Sequence, residues 1–545
     1  MVVILQSAAT VFWLEYRRYV RTRRYWALTL AVLWLGCALC TGLAILAARD
    51  SKVVSGLFGL SYSSAMTLGV FVWLPLVMVA PLTNRLLRDV YKTRTLTDLY
   101  LTELHPLGVV LGRIGAITAL TGLALLTLTP AALWVCLLVG VPPWMWLASA
   151  LLALAAYALG TAVDAYSLRG VHAPDESSLL NVRFTSFHVL HGIAPLGITA
   201  AAYLVQLIPN AHALLFLPLW LWTPYGAPIL LTAAVQEARY PLLPIAGGVL
   251  SALGWTLWCA LAAAQWREWW SESAYRLMRW GGAAFWLLVI GVHAGMLARV
   301  FATSPLAAER LLLLLLCLTT LANLSIGSLA GYFALARRPA PLRFALPYPF
   351  GGLLWQWALQ WLSAGVLYLA IGGASGQWVA PEKWLLWSLY VWLSGTVLPQ
   401  AIYSASWAFL IRYPTPLQGD YFNDFFINTR RARVYYETRA SLTGQGVVLL
   451  FVALGVLLFG SWVVQIFNRA LFNMPMLDAL ASGLLRLHPW WGLYQEWLGA
   501  GGGGQYVLYS LGWVILLSVW WGRLGLRAGE AETKRFVEWQ RGKLN

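Results

Sequence analysis

Apolar runs about as long as a bilayer is thick decide what this chain can become. The stretch from Trp26 to Ala48 is uncharged from end to end, and similar runs recur along the 545 residues. A helix needs about 20 such residues to cross a hydrocarbon core of roughly 30 Å. Spanning β-strands alternate over segments of about ten, so a membrane β-barrel does not fit runs of this length. With 60% hydrophobic residues, 11% charged residues and 32 tryptophans, most of the chain is built for lipid. The expectation is an all-α polytopic membrane protein with about 12 transmembrane helices.

The excess of 37 Lys and Arg over 21 Asp and Glu has a membrane explanation rather than a nucleic-acid one, because basic residues collect on cytoplasmic loops. Arg17, Arg18, Arg21, Arg23 and Arg24 precede the first run and place the N-terminus inside. That run is too long for a signal-peptide core and no small-residue cleavage site follows it, so it reads as a retained span. Further basic clusters fall at Arg85 to Arg94, Arg169 to Arg183, Arg267 to Arg279, Arg337 to Arg343, Arg430 to Arg439 and Arg523 to Lys543. Each follows an even number of crossings. The intervening loops, such as "VPPW" at Val141, "FATSP" at Phe301 and "ASGQW" at Ala374, are poor in Lys and Arg. Both termini are therefore expected in the cytoplasm.

The order of elements repeats. Residues 1–280 run as an amphipathic lead-in (Gln6 to Arg24), six spans, and an outer proline and aromatic segment at Leu217 to Leu243 before the last span. Residues 281–545 follow the same order, with a matching outer segment at Leu484 to Leu508. Both outer segments read as re-entrant or surface hairpins, which must be covered by protein because unpaired backbone cannot face hydrocarbon. Six crossings per half make the halves parallel repeats about an axis along the membrane normal.

One short element interrupts the apolar pattern: "TLTDLYLTELHPLGVVLGR", Thr95 to Arg113, preceded by "NRLLRDVYKTR". It resembles the coupling-helix signature of the type-2 ATP-binding-cassette exporter permeases, in which an acidic residue and a "GTLxxLLLTPLSP" run lead into "xEIVLGK" at the third span. Thr95, Leu96, Leu99, Leu101, Thr102, Leu104, Pro106, Val110, Leu111, Gly112 and Arg113 fall in register, with Asp89 as the upstream acid. Arg94 replaces a glycine, Glu103 a proline and His105 a serine. The resemblance implies that residues 88–106 dock an ATPase through Asp89, Thr95, Leu96, Asp98, Leu99, Thr102 and Leu104, with Pro106, Gly112 and Arg113 leading into the span. By position alone, the second half would offer Arg338, Leu342, Arg343 and Pro347 as a weaker docking site.

An amphipathic helix at the membrane surface supports such a role on physical grounds, since Leu96, Leu99, Tyr100 and Leu104 share one side. A plain interfacial helix that anchors its span is the other reading of the same pattern. The chain has no G-x-x-x-x-G-K-[ST] phosphate loop, so ATP and Mg would sit on partner ATPase subunits, two copies or a heterodimer. No cofactor, metal or catalytic residue is expected in this chain, and its other partners are membrane lipids. Cys37-x-x-Cys40 sits in an apolar run and reads as packing. His188 and His191, with His172, lack the carboxylates or thiolates of a metal site. Asp420 and Asp424 read as a solvated face, and the glycines of Gly499 to Gly504 as a flexible hairpin. The tryptophans cluster near expected span ends, where indole rings favour the headgroup layer. His188, His191, His293, Asn323, Gln356, Gln360 and Gln400 make up most of the intramembrane polar content. The expected function is the permease subunit of an ATP-driven exporter for a hydrophobic or lipid-linked substrate, in a prokaryotic inner or plasma membrane. Alternatives are an integral-membrane enzyme acting on lipid-linked substrates and a secondary transporter.

Overall fold

The structure is a computed structural model and describes residues 1–49, 103–139, 143–169, 242–265, 272–329, 353–398, 401, 474–486, 491–498 and 505–540. Every regular element among the described residues is a helix. Six helical segments are long and apolar enough to cross a membrane: Pro106–Trp134, Trp146–Val163, Ala246–Ala264, Leu277–Arg299, Trp355–Ser375 and Tyr506–Leu524. The chain divides into two compact units, with the described residues up to Val289 in the first and those from Ile290 in the second.

In the first unit, α1 (Val2–Val20), α2 (Arg23–Arg49), α3 (Pro106–Val139), α4 (Trp144–Arg169) and α5 (Leu242–Ala264) follow one another. The lead-in helix thus begins and ends four residues earlier than the expected Gln6 to Arg24. Thr22 explains the break: its hydroxyl donates to the Tyr19 carbonyl at 2.8 Å and accepts from the Tyr25 N–H at 3.4 Å, capping the start of α2. The Trp26 indole closes the same corner on the Val20 carbonyl. Glu15, Arg17 and Arg18 keep α1 out of the set of spanning helices.

The core of this unit is made of small residues. Ala116, Ala124, Ala132, Ala153, Ala162, Ala260, Ala262 and Ala263 are buried where α3, α4 and α5 pack together. Between apolar helices in lipid there is no hydrophobic drive, so close backbone approach and van der Waals contact must do the joining. Trp146 fills the remaining space and donates to Thr129 Oγ1 at 3.3 Å.

From Glu272 the helix runs without a break: α6 (Glu272–Arg276), a π-helical turn (Leu277–Gly282) and α7 (Ala283–Phe301). A separate lead-in helix before the second half, as the repeat implies, is not present at 272–301. The second unit continues with α8 (Pro305–Leu329), α9 (Leu353–Ser375), α10 (Pro381–Trp392), a second π-helical turn (Leu393–Val397), α11 (Pro475–Arg486), α12 (Trp491–Leu498) and α13 (Gln505–Gln540). Val141 and Pro142 of "VPPW" lie outside the described residues, while the expected loop at "FATSP" joins α7 to α8 and the one at "ASGQW" lies at the end of α9. At the last, Gly376 takes φ +72° and its N–H bonds the Gly372 carbonyl, the left-handed stop that favours glycine. The expected outer segment at Leu484 to Leu508 contains α12, seated on α13 through the Gly492 N–H and Ser510 Oγ at 3.0 Å. Its first-half counterpart, at 217–241, lies outside the described residues.

Candidate functional site

Of the stretch Thr95 to Arg113, the described part, Glu103 to Arg113, meets α1. His105 is where they join. Its backbone N–H donates to Ser7 Oγ at 3.0 Å, and its ring Nδ1 accepts from the Leu107 N–H at 3.2 Å. The imidazole therefore caps the start of α3, satisfying one of the orphan donors of a helix start. Pro106 follows as the first helical residue, where its missing N–H costs nothing. Ser7 in turn donates to the Val3 carbonyl at 2.8 Å, so the hydroxyl is engaged on both sides.

One turn further in, the two helices touch through backbone. A β-carbon at Gly108 would collide with Ser7 Cβ and the Ile4 carbonyl, and one at Gly112 with the Ala8 carbonyl and Val11 Cβ. Gly108 and Gly112 are four residues apart and lie on one face of α3, which is the spacing that lets helices approach closely in lipid. Beside this contact the Arg113 Nε lies 3.8 Å from Glu15 Oε1, with both side chains more than nine-tenths buried. At that distance the pair attracts as charges rather than through a well-formed hydrogen bond. Further along, the Tyr25 hydroxyl of α2 donates to the Leu120 carbonyl at 3.0 Å. The start of α3 is thus held by α1 and then by α2.

The opposite face of α1 is open. Leu5, Trp13 and Leu14 are exposed alongside Arg17 and Arg18, and the Arg17 guanidinium lies over the Trp13 ring at 5.7 Å. Apolar and aromatic residues mixed with arginine are the composition of a helix resting in a headgroup layer.

Of the residues read from the sequence, Leu104 and Pro106 are half-buried, while Gly112 and Arg113 are buried against α1. Asp89, Thr95, Leu96, Asp98, Leu99 and Thr102 lie outside the described residues, as do Arg338, Leu342, Arg343 and Pro347. His172, His188, His191, Gln400, Asp420 and Asp424 also lie outside them. Sequence reasoning missed Ser7, Glu15 and Gly108. The spacing Gly108-x-x-x-Gly112 was the available signal.

The second unit holds two polar groupings. Between α8 and α9, Asn323 Nδ2 of α8 donates to Gln360 Oε1 at 2.7 Å, and Gln360 Nε2 of α9 donates to Thr320 Oγ1 at 2.7 Å. Ser363 Oγ accepts from the same Asn323 amide at 3.4 Å. All four side chains are buried. At the helix ends, Lys383 Nζ bonds both oxygens of Glu309 at 2.8 and 3.0 Å. Burial raises the Glu496 carboxyl above the usual carboxylate range, an effect opposed by Lys383 and reinforced by Glu309. No group of three or more metal-ligating side chains occurs among the described residues. Cys37, expected as a packing residue, is exposed on α2, whereas Cys136 and Cys259 are buried as free thiols.

The fold defines an all-α integral membrane protein. Comparison with family models, with curated proteins and with solved structures returns no match.

Proposed function

We propose that this chain is the membrane-spanning subunit of an ATP-driven exporter, formed of two parallel six-span permease halves and powered by separate ATPase subunits. The register of Thr95 to Arg113 with the coupling signature carries this reading. Its support in three dimensions is the way Glu103 to Arg113 runs into a span that α1 grips by backbone contact, a helix cap and a buried ion pair. A coupling element passes on motion only if it continues into a rigid body, and α3 with α1 has that construction. Leu104 retains partial exposure at the element's end, where an ATPase surface would meet it. The exported substrate is hydrophobic or lipid-linked, in keeping with the scarcity of charge along the spans.

The test is affinity purification of the full chain in mild detergent, as wild type and as Leu99→Arg with Leu104→Arg, followed by ATPase assay of what accompanies it. A vanadate-sensitive ATPase that is present with the wild type and absent with the double variant is the expected result. A chain that purifies alone and is indifferent to both changes rejects the reading. One observation favours a second reading as a membrane enzyme, namely the neighbourhood of Glu309, Lys383 and the raised Glu496 at the helix ends of the second unit. A carboxyl whose proton affinity is raised by burial is a recurrent acid–base device. Under that reading the chain purifies alone, and Glu496→Gln abolishes a turnover of lipid-linked substrate.

A further inference from the structure

A cavity of about 570 Å³ opens between the end of α5 and the α6 helix, lined by Gln265, Ser273, Arg276, Leu277, Trp280 and Gly281. Its depth follows from the spans on either side. Gln265 directly follows the apolar segment Ala246–Ala264, and Arg276 directly precedes Leu277–Arg299. The cavity therefore lies where two spanning helices leave the apolar layer, at the level of lipid headgroups.

The lining is divided in the same sense as a phospholipid. Arg276, Ser273 and Gln265 supply a guanidinium, a hydroxyl and an amide, the donor types that bind phosphate oxygens, with the guanidinium bond strengthened by charge. Leu277 and Trp280 supply apolar surface, and the Trp280 indole is 71% exposed. An exposed tryptophan at this depth fits the region where glycerol and acyl chain meet. The wall is set by the π-helical turn. Gly281 and Gly282 lie so close to the Trp258 ring of α5 that a β-carbon at Gly281 would overlap it. The Trp258 indole N–H is buried and has no hydrogen-bond partner among the described residues. A π-helical turn widens the backbone spiral and often marks a functional position in a helix. The volume lies within the roughly 300–1,000 Å³ of small-molecule sites, enough for a headgroup but not for a whole lipid.

We propose that this cavity binds the phosphate headgroup of an anionic phospholipid, with Arg276 and Ser273 on the phosphate and Trp280 against the start of the acyl chains. The site belongs to the first unit alone and does not depend on the exporter reading. Native mass spectrometry of the full detergent-solubilised chain tests it, with phosphatidylglycerol and phosphatidylcholine added in turn to wild type, Arg276→Gln and Arg276→Lys. Expected is a phosphatidylglycerol adduct at least fivefold more abundant than the phosphatidylcholine one. Arg276→Gln should lower it about fivefold, since one basic residue near a charged lipid surface contributes on that order. Arg276→Lys should keep most of it, and a photoactivatable phosphatidylglycerol should label the peptide containing Trp280. Should Arg276→Gln fail to fold, Ser273→Asp sets a like charge against the phosphate and should produce the same loss. Equal binding of the two lipids, or indifference to both variants, overturns the proposal. Displacement of the adduct by millimolar inorganic phosphate, without labelling by the lipid, also overturns it and assigns the cavity to a soluble phosphate.

Discussion

Two helix junctions, one in each unit, solve the same problem with different chemistry. In the first unit α1 is joined to α3 by glycine contacts and the Glu15–Arg113 ion pair. In the second, α8 is joined to α9 by an uncharged ladder of Thr320, Asn323, Gln360 and Ser363. Depth does not explain the contrast, for Arg113 and Gln360 each lie seven residues after the first residue of their helix. What differs is the partner. α1 carries Arg17 and Arg18 close to Glu15, so the carboxylate belongs to a charged stretch of its helix. α8 places its polar side chains on a long leucine-rich helix, where a carboxylate near the centre would cost about 3 kcal/mol and an amide much less. A charge can be buried on one helix when a second helix, charged itself, brings the countercharge to it.

The comparison breaks most easily at the ion pair. Glu15→Ala should remove the buried countercharge beside the Arg113 guanidinium and cost about 3 kcal/mol in thermal unfolding of the detergent-solubilised chain, whereas Glu15→Met with Arg113→Met should recover most of that loss. If the double variant is no better than the single, the pair is not the source of the effect. Next in size, Gly112→Leu should cost about 2 kcal/mol by forcing α1 away from α3. A disulfide engineered between the two helices would report it as lost cross-linking, with Gly42→Leu as the control, because a β-carbon at Gly42 meets no atom within 4 Å. The smallest effect belongs to the second unit. A double-mutant cycle of Asn323→Leu and Gln360→Leu should return a coupling of about 0.6 kcal/mol, the ordinary value for interhelical hydrogen bonds in membranes. A coupling as large as that of Glu15 with Arg113 would erase the distinction drawn between charge and amide.

Much of the helical layout was legible, because hydropathy over some twenty residues reports directly on solvent. The helix junctions at "FATSP" and "ASGQW" and the helix that leads the chain are examples. The lead-in boundary was missed at Thr22, since a single capping hydroxyl outweighs an otherwise continuous amphipathic pattern. The helix from Glu272 was missed for the opposite reason: a π-helical turn keeps the backbone bonded through part of the basic stretch Arg267 to Arg279, which reads as a loop. At the candidate site, the importance of Gly112 and Arg113 came from motif register, and their partners could not be read from it. Ser7 is 98 residues from His105 along the chain, and Arg113 is equally far from Glu15.

Taken alone, the sequence determined that this protein lives in a membrane as helices, because the cost of exposed backbone and charge in lipid acts locally on each segment. Only the tertiary structure decided which helix closes on which glycine, which carboxylate meets the buried arginine, and which amides find one another. Those choices depend on contacts a few ångströms across between segments far apart in the chain, and neither hydropathy nor periodicity carries that information.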